Sequence, residues 1–140
     1  MAMQNPSKEE IKQILVDAKT IAIVGLSDNP DRISYQVAKR MQSYGYKIIP
    51  VNPMIKEALG EKAVATLTEI KEPVDIINVF RRVDQIMPVA EEAVEYGQGK
   101  VFWMQLGLVH EEAAALCKQH GMSVIMDYCI KVAYAELIQS

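Results

Sequence analysis

Residues 20–38 read TIAIVGLSDNPDRISYQVA. Thr20 to Val24 is a short run of strand formers without in/out alternation, the pattern of a strand covered on both faces. Gly25 follows at once, then a polar turn with Asp28, Asn29 and Pro30. From Tyr35 the apolar residues recur at helical spacing, and Val37, Ala38 and Met41 complete a stripe that Gly45 stops. A buried strand, a glycine turn and a helix in that order open a βαβ unit.

The same alternation continues outward. Four more apolar runs occupy residues 47–51 (KIIPV), 74–79 (VDIINV), 101–104 (VFWM) and 122–126 (MSVIM). Between them, Ile86, Val89, Ala90, Ala93 and Val94 make a helical stripe ended by Gly97, and Ala113, Leu116 and Cys117 make another ended by His120-Gly121. Ser7 with Glu10 three residues later reads as a capping box opening a helix through Ala18, and residues 129–138 read as a closing helix. The expected architecture is α/β: a Rossmann-like, doubly wound, parallel five-stranded sheet with helices on both faces and right-handed crossovers. The expected strand order is 3-2-1-4-5, with the topological switch between strands one and four. Pro50 cannot donate to a central ladder, so it belongs at the last turn of its strand. Residues 52–66 read as irregular, with one helical turn before Thr68-Glu69.

The 140 residues read as a single domain, with no room for a second of comparable size. Fifteen Lys and Arg against 18 Asp and Glu, with no basic block, argue against nucleic acid or an anionic membrane as partner. The first residues are polar and run into Lys8-Glu9-Glu10, unlike a signal peptide, and no stretch approaches the roughly 20 apolar residues that span a bilayer. A cytoplasmic protein is expected. Cys117 and Cys129 form neither a disulfide framework nor a zinc-ligand set, and no metal site is expected.

Ligands of open α/β sheets bind beyond the carboxyl ends of the strands, at the switch point. That edge collects residues 25–35, Asn52-Pro53, Phe80-Arg81-Arg82 and Gln105-Leu106-Gly107. Gly25 permits close backbone approach, and the loop feeds a helix starting near Ser34, whose free N–H groups suit a diphosphate. Ser27 and Ser34 can add donors and Arg32 a charge. Taken alone, Ser34 reads as an N-cap. The loop as a whole reads as a phosphate seat. The dinucleotide fingerprint GxGxxG is absent, and strand two ends in Val51-Asn52-Pro53 without a carboxylate for a ribose diol, which disfavours NAD; a Walker A loop is absent too. A nucleotide carrying a diphosphate and a further phosphate suits these ends better, with Arg32, Arg81, Arg82 and Lys56 as candidate cations. Phe80 reads equally as core or as an adenine platform, and Trp103 as core.

Gly25-Leu26-Ser27, Pro30, Arg32, residues 34–38 (SYQVA), residues 49–53 (IPVNP), Val79-Phe80-Arg81-Arg82, residues 103–107 (WMQLG) and Met126-Asp127 with Cys129 and Lys131 together resemble the bacterial stand-alone CoA-binding proteins (YccU/YneT-like). Those in turn resemble the N-terminal CoA-binding domain of the succinyl-CoA synthetase alpha subunit. The resemblance runs from about residue 19 to the C-terminus. It implies that Gly25, Leu26 and Ser27, with Pro30 and the Arg32, Ser34 and Tyr35 loop, meet the diphosphate and the start of the pantetheine. It implies that Val51, Asn52 and Pro53 lie near the adenosine, with Lys56 a looser match, and that Phe80, Arg81, Met104 and Gln105 wall the rest of the crevice. Coenzyme A or an acyl-CoA is the implied ligand, and its 3′-phosphate fits the missing ribose carboxylate. Relatives carry Arg after Met-Asp and a Glu-His pair in the last helix, where this chain has Tyr128, Ala133 and Tyr134.

No nucleophile–base–orienter set is visible. His110 falls at a helix N-cap and His120 at a helix end, Asp75 at a strand entry and Asp84 at a helix start. The synthetase's phosphorylated histidine belongs to a second domain, which these residues do not match. Cys129, on the ligand edge and before the last helix, is the one reactive candidate, whereas Cys117 on a helix flank should be inert. The expectation is a non-catalytic CoA-binding, carrier or sensor protein, which can form a homo-oligomer. The alternatives are a subunit of an acyl-CoA-handling enzyme whose catalytic groups come from a partner, or an NAD- or FAD-type binder.

Overall fold

In the computed structural model, which describes residues 4–139, all five apolar runs form strands. They are β1 (Thr20–Val24), β2 (Lys47–Val51), β5 (Val74–Val79), β6 (Gly99–Met104) and β7 (Ser123–Ile125). A two-residue antiparallel hairpin, β3 (Glu57–Ala58) and β4 (Glu61–Lys62), and a 3₁₀ turn at Leu67–Glu69 occupy the stretch between the second and third runs. The helices are α1 (Lys8–Asp17), α2 (Ile33–Ser43), α3 (Ile86–Tyr96), α4 (Glu111–Gln119) and α5 (Ile130–Tyr134), the last continuing as a π-helical turn over Ala135–Gln139. Ser7 Oγ accepts the Glu10 N–H at 3.1 Å and meets its carboxylate at 3.3 Å, so the expected cap forms. His110 caps α4 by accepting the Ala113 N–H on Nδ1 at 3.1 Å.

The five long strands pair in parallel in the order β2-β1-β5-β6-β7. The parallel, doubly wound sheet is as expected. Counted along the chain, however, its order is 2-1-3-4-5, and the expected 3-2-1-4-5 is corrected at one joint. The third long strand pairs with β1, Ile21 to Val24 standing opposite Ile76 to Val79, and does not lie outside β2. The connection over residues 52–73 explains why. Its Leu67 and Ile70 are buried with α3 and α4 on one face, whereas α1, α2 and α5 pack on the other. A right-handed crossover on the α3–α4 face carries the chain from β2 across β1, just as α3 carries it from β5 to β6. The switch point therefore lies between β1 and β5.

Pro50 sits within β2, opposite Ile23, and the edge position makes this tolerable. Its carbonyl faces outward and accepts the Val64 N–H at 3.0 Å, so its nitrogen also faces away from β1 and no ladder bond is lost. At the opposite end of the sheet Asp75 ties β5 to the entry of β1, its Oδ2 accepting from the Lys19 and Thr20 N–H groups at 2.7 and 3.1 Å. The three residues by which this chain departs from the resembled pattern are absorbed in packing. Ala133 is fully buried, Tyr134 stacks on Tyr44 with ring centroids 4.0 Å apart, and Tyr128 leans on Trp103.

Candidate functional site

The switch point opens a cleft of about 920 Å³ lined by Gly25, Ser27, Arg32, Ser34, Phe80, Arg81 and Gln105 among others. Gly25 is pinned between two strand ends. Its N–H donates to Val51 O at 2.8 Å, while Phe80, just past β5, donates its N–H to Val24 O at 2.8 Å. Gly25 has φ +89°, and a Cβ on it would lie 2.1 Å from the Phe80 carbonyl oxygen. Only glycine lets the β1 loop and the β5 loop meet this closely.

The loop from Gly25 is shaped by its own polar side chains. Asn29 N donates to Ser27 Oγ at 3.0 Å, and Asn29 Oδ1 accepts the Asp31 N–H at 2.9 Å. Ser34 corrects one expectation. Arg32 holds the N-cap position without a side-chain bond, and Ser34 lies in the first turn of α2, its Oγ accepting the Ser27 N–H at 3.0 Å. The hydroxyls of Ser27 and Ser34 are thus acceptors within the loop, and each keeps its O–H proton for a ligand. The α2 N-terminus, uncapped by a side chain, opens beside them.

Three arginines stand around this cleft. Arg81 is half-buried, its Cδ near Gly25, and neither it nor Arg32 makes an ion pair among the described residues. Arg82 is exposed and meets Asp84 at 3.6 Å. Gln105, only 6% exposed, follows β6 and is fixed by its Oε1, which accepts from Asn78 Nδ2 at 3.1 Å and from the Ile130 N–H at 2.9 Å. Phe80 is half-buried against the α1–α2–α5 core, as its core reading expects, and it also lines the cleft.

The remaining candidates are placed differently. Leu26 and Met104 are fully buried, one on each side of the sheet, and offer no side-chain surface to the cleft. Val51 is buried in the sheet, and Tyr35 packs half-buried on the α2 side. Pro30, Pro53 and Lys56 are exposed outside the cleft lining. Asn52 links two loops, its Nδ2 donating to Leu26 O at 3.0 Å and its Oδ1 accepting the Met54 N–H at 2.9 Å. The cleft also takes in Asp31, Ile33, Leu106 and Leu108, which the candidate set omits although the first three lie inside stretches marked as ligand edge and Leu108 directly follows one. Cys129, at the N-cap of α5, lines the far wall and is half-buried. Cys117 is on the buried face of α4, and burial pushes its thiol up to about 12. His120 is exposed and turns its Nδ1 to Leu116 O at 3.0 Å, and neither histidine lines the cleft.

A parallel α/β sheet with a glycine-pinned, arginine-lined cleft at its switch point is a doubly wound ligand-binding domain of the nucleotide-binding type. The chain belongs to the CoA-binding domain family, whose pattern matches residues 19–135. It is 62% identical over 133 residues to the Bacillus subtilis protein YneT, covering 95% of this chain and 98% of that one. It is 26% identical over 122 residues to the alpha subunit of acetate–CoA ligase (ADP-forming) II from Pyrococcus furiosus, covering 80% of this chain but only 27% of the subunit. Among solved structures, a Thermus thermophilus protein superposes with a TM-score of 0.90 at 35% identity, covering 95% of this chain and all of that one. No described helix is long and apolar enough to cross a membrane.

Proposed function

We propose that the cleft binds coenzyme A or an acyl-CoA and that the chain acts as a binding, carrier or sensor module without chemistry of its own. The observation that carries this reading is the meeting of β1 and β5 at Gly25. There an uncapped helix N-terminus, two hydroxyl donors and the unpaired Arg32 and Arg81 face one cleft. This is a donor set for phosphates; the end of β2 carries no carboxylate for a ribose diol, and Asp31 lines the cleft from the β1 loop. The residues fit CoA: Ser27, Ser34, Arg32 and Arg81 would hold the diphosphate, and Phe80, Gln105 and Leu106 would wall the pantetheine arm. Residues 51–53, with Lys56 on the exposed loop beyond them, would flank the adenosine.

Thermal-shift titration with CoA, dephospho-CoA and NAD tests the proposal, because a ligand that binds the native state raises its unfolding temperature. CoA should stabilise most, dephospho-CoA less, and NAD least. Stabilisation by NAD and not by CoA would overturn it. Purified protein that carries ligand should also show adenine absorbance above that of its one Trp and six Tyr, released on denaturation.

A second reading is favoured by the ligase-subunit similarity: a subunit of an acyl-CoA-handling enzyme, with catalytic groups supplied by a partner. Affinity capture of the tagged protein from its own cells separates the two. A stoichiometric partner that confers acyl-CoA turnover would favour the subunit, and a protein that purifies alone with bound CoA would favour the module.

A further inference from the structure

Asn78 stands one residue before the carboxyl end of β5, fully buried, with Ile23 of β1 and Trp103 of β6 in register on either side. An amide in an apolar strand needs a reason, because a buried polar atom without a partner is costly. Asn78 carries that cost: its Oδ1 is the one buried side-chain oxygen or nitrogen without a partner among the described residues. Its Nδ2 is committed, donating to Trp103 O at 3.3 Å and to Gln105 Oε1 at 3.1 Å. Gln105 Oε1 also accepts the Ile130 N–H. With two donors on its oxygen, the Gln105 amide has one orientation, and its nitrogen is the free end. That nitrogen has no partner among the described residues and is not among the buried orphans, so in this cleft-lining residue it reaches the cleft. Exchanging the two ends of the amide would set nitrogen against two donors.

We infer that Asn78 is a positioning residue that turns the Gln105 amide nitrogen into the cleft to donate to a carbonyl of the ligand's pantetheine arm. The inference rests on the CoA reading of the cleft. It explains why β5 retains a half-satisfied amide where an aliphatic residue would pack as well. The Ile130 bond places the same Gln105 against the start of α5, so the fixed amide also sets the wall that carries Cys129.

Asn78→Leu and Gln105→Leu, singly and together, test the inference by isothermal titration with CoA and with adenosine 3′,5′-bisphosphate, which lacks the pantetheine arm. Each single variant should lose about tenfold in CoA affinity, the worth of one neutral hydrogen bond at the upper end of its range, and keep its affinity for the bisphosphate. The double variant should bind CoA as Gln105→Leu does, because Asn78 acts through Gln105. Should Asn78→Leu fail to fold, Asn78→Asp, which places an oxygen against Gln105 Oε1, gives the same split. Wild type that binds CoA while the variants bind it unchanged, or equal losses for both ligands, would overturn the inference and leave the CoA reading standing. Wild type that binds neither ligand would overturn the CoA reading itself, and the inference with it.

Discussion

Replacing Gly25 by Ala concentrates the cost of the switch point in a single methyl group. The added Cβ would lie 2.1 Å from the Phe80 carbonyl oxygen and 3.0 Å from its carbon, both backbone atoms that cannot swing aside as a side chain would. The residue must also keep a φ near +89°. The left-handed backbone costs an L-residue ~1–2 kcal/mol, and forcing apart packed elements typically costs a further ~1–3 kcal/mol. The sum, ~2–5 kcal/mol, is survivable against a typical total of ~5–15 kcal/mol, so the variant should fold but unfold early. At ~4 °C per kcal/mol for a chain of this size, the midpoint should fall by ~8–20 °C. Gly60→Ala is the matched control, with φ +77° and nothing within 4 Å of its added Cβ. It carries only the backbone part, so its midpoint should fall by ~4–8 °C. Far-UV circular dichroism melts of the two variants and wild type measure the difference. The clash also spreads β1 from β5 where the ligand would sit, so Gly25→Ala should lose CoA stabilisation while Gly60→Ala keeps it. Losses equal to within ~1 kcal/mol in the two variants would refute the reasoning, because the Phe80 contact would then add nothing.

Further outcomes follow from the same geometry. Arg81→Ala should weaken CoA binding ~10–100-fold, the loss of one or more charged hydrogen bonds, with Lys restoring only part of it; stability should move by no more than ~0.5 kcal/mol, since Arg81 makes no ion pair among the described residues. Iodoacetamide on native protein, followed by intact mass, should add one group at Cys129 and none at Cys117, and CoA should protect Cys129; equal labelling of the two thiols would contradict the placement of Cys117. Burial raises the Asp75 carboxyl, but the Lys19 and Thr20 N–H groups and then Lys100 outweigh it and hold it below the ordinary value. Its contribution to stability is therefore fully present above the unfolded carboxylate value of ~3.9 and is lost as pH falls through the lower folded one. Denaturant melts of wild type and Asp75→Asn should differ by a constant amount at neutral pH and converge only in acid below that value; a gap already closing near neutrality would refute the assignment.

The strands and helices were legible because their signals are local. Each Val- and Ile-rich run, each helical stripe and each glycine stop is read within a dozen residues, and the caps at Ser7 and His110 form through the predicted side chains. Strand order is not local. All five runs are nearly interchangeable in composition, and the residues that fix the order, Leu67 and Ile70, lie in a connection with no periodic pattern to read. Ser34 failed as a cap for a related reason. A serine near a helix start signals capping, but the N–H it serves is on Ser27, seven residues back across the loop.

The corrected order changes the chemistry of the site. In the expected 3-2-1-4-5 arrangement, the end of β6 would stand beside Gly25, and Gln105 would be the residue facing the glycine. With β5 beside β1, Phe80 and Arg81 take that place, and they line the same cleft as Ile33 and Ser34 of the first turn of α2. Gln105 moves one strand outward, where Asn78 can reach it from β5 and Ile130 from α5. The cleft thus divides into a charged half over Gly25 and an amide-and-thiol half over β6 and α5. A ligand with phosphates at one end and a carbonyl-bearing, thiol-ended arm at the other matches that division. Asn78 gave a signal in the sequence, one polar residue in VDIINV, but its meaning required knowing that β5 is central and that β6 is its neighbour.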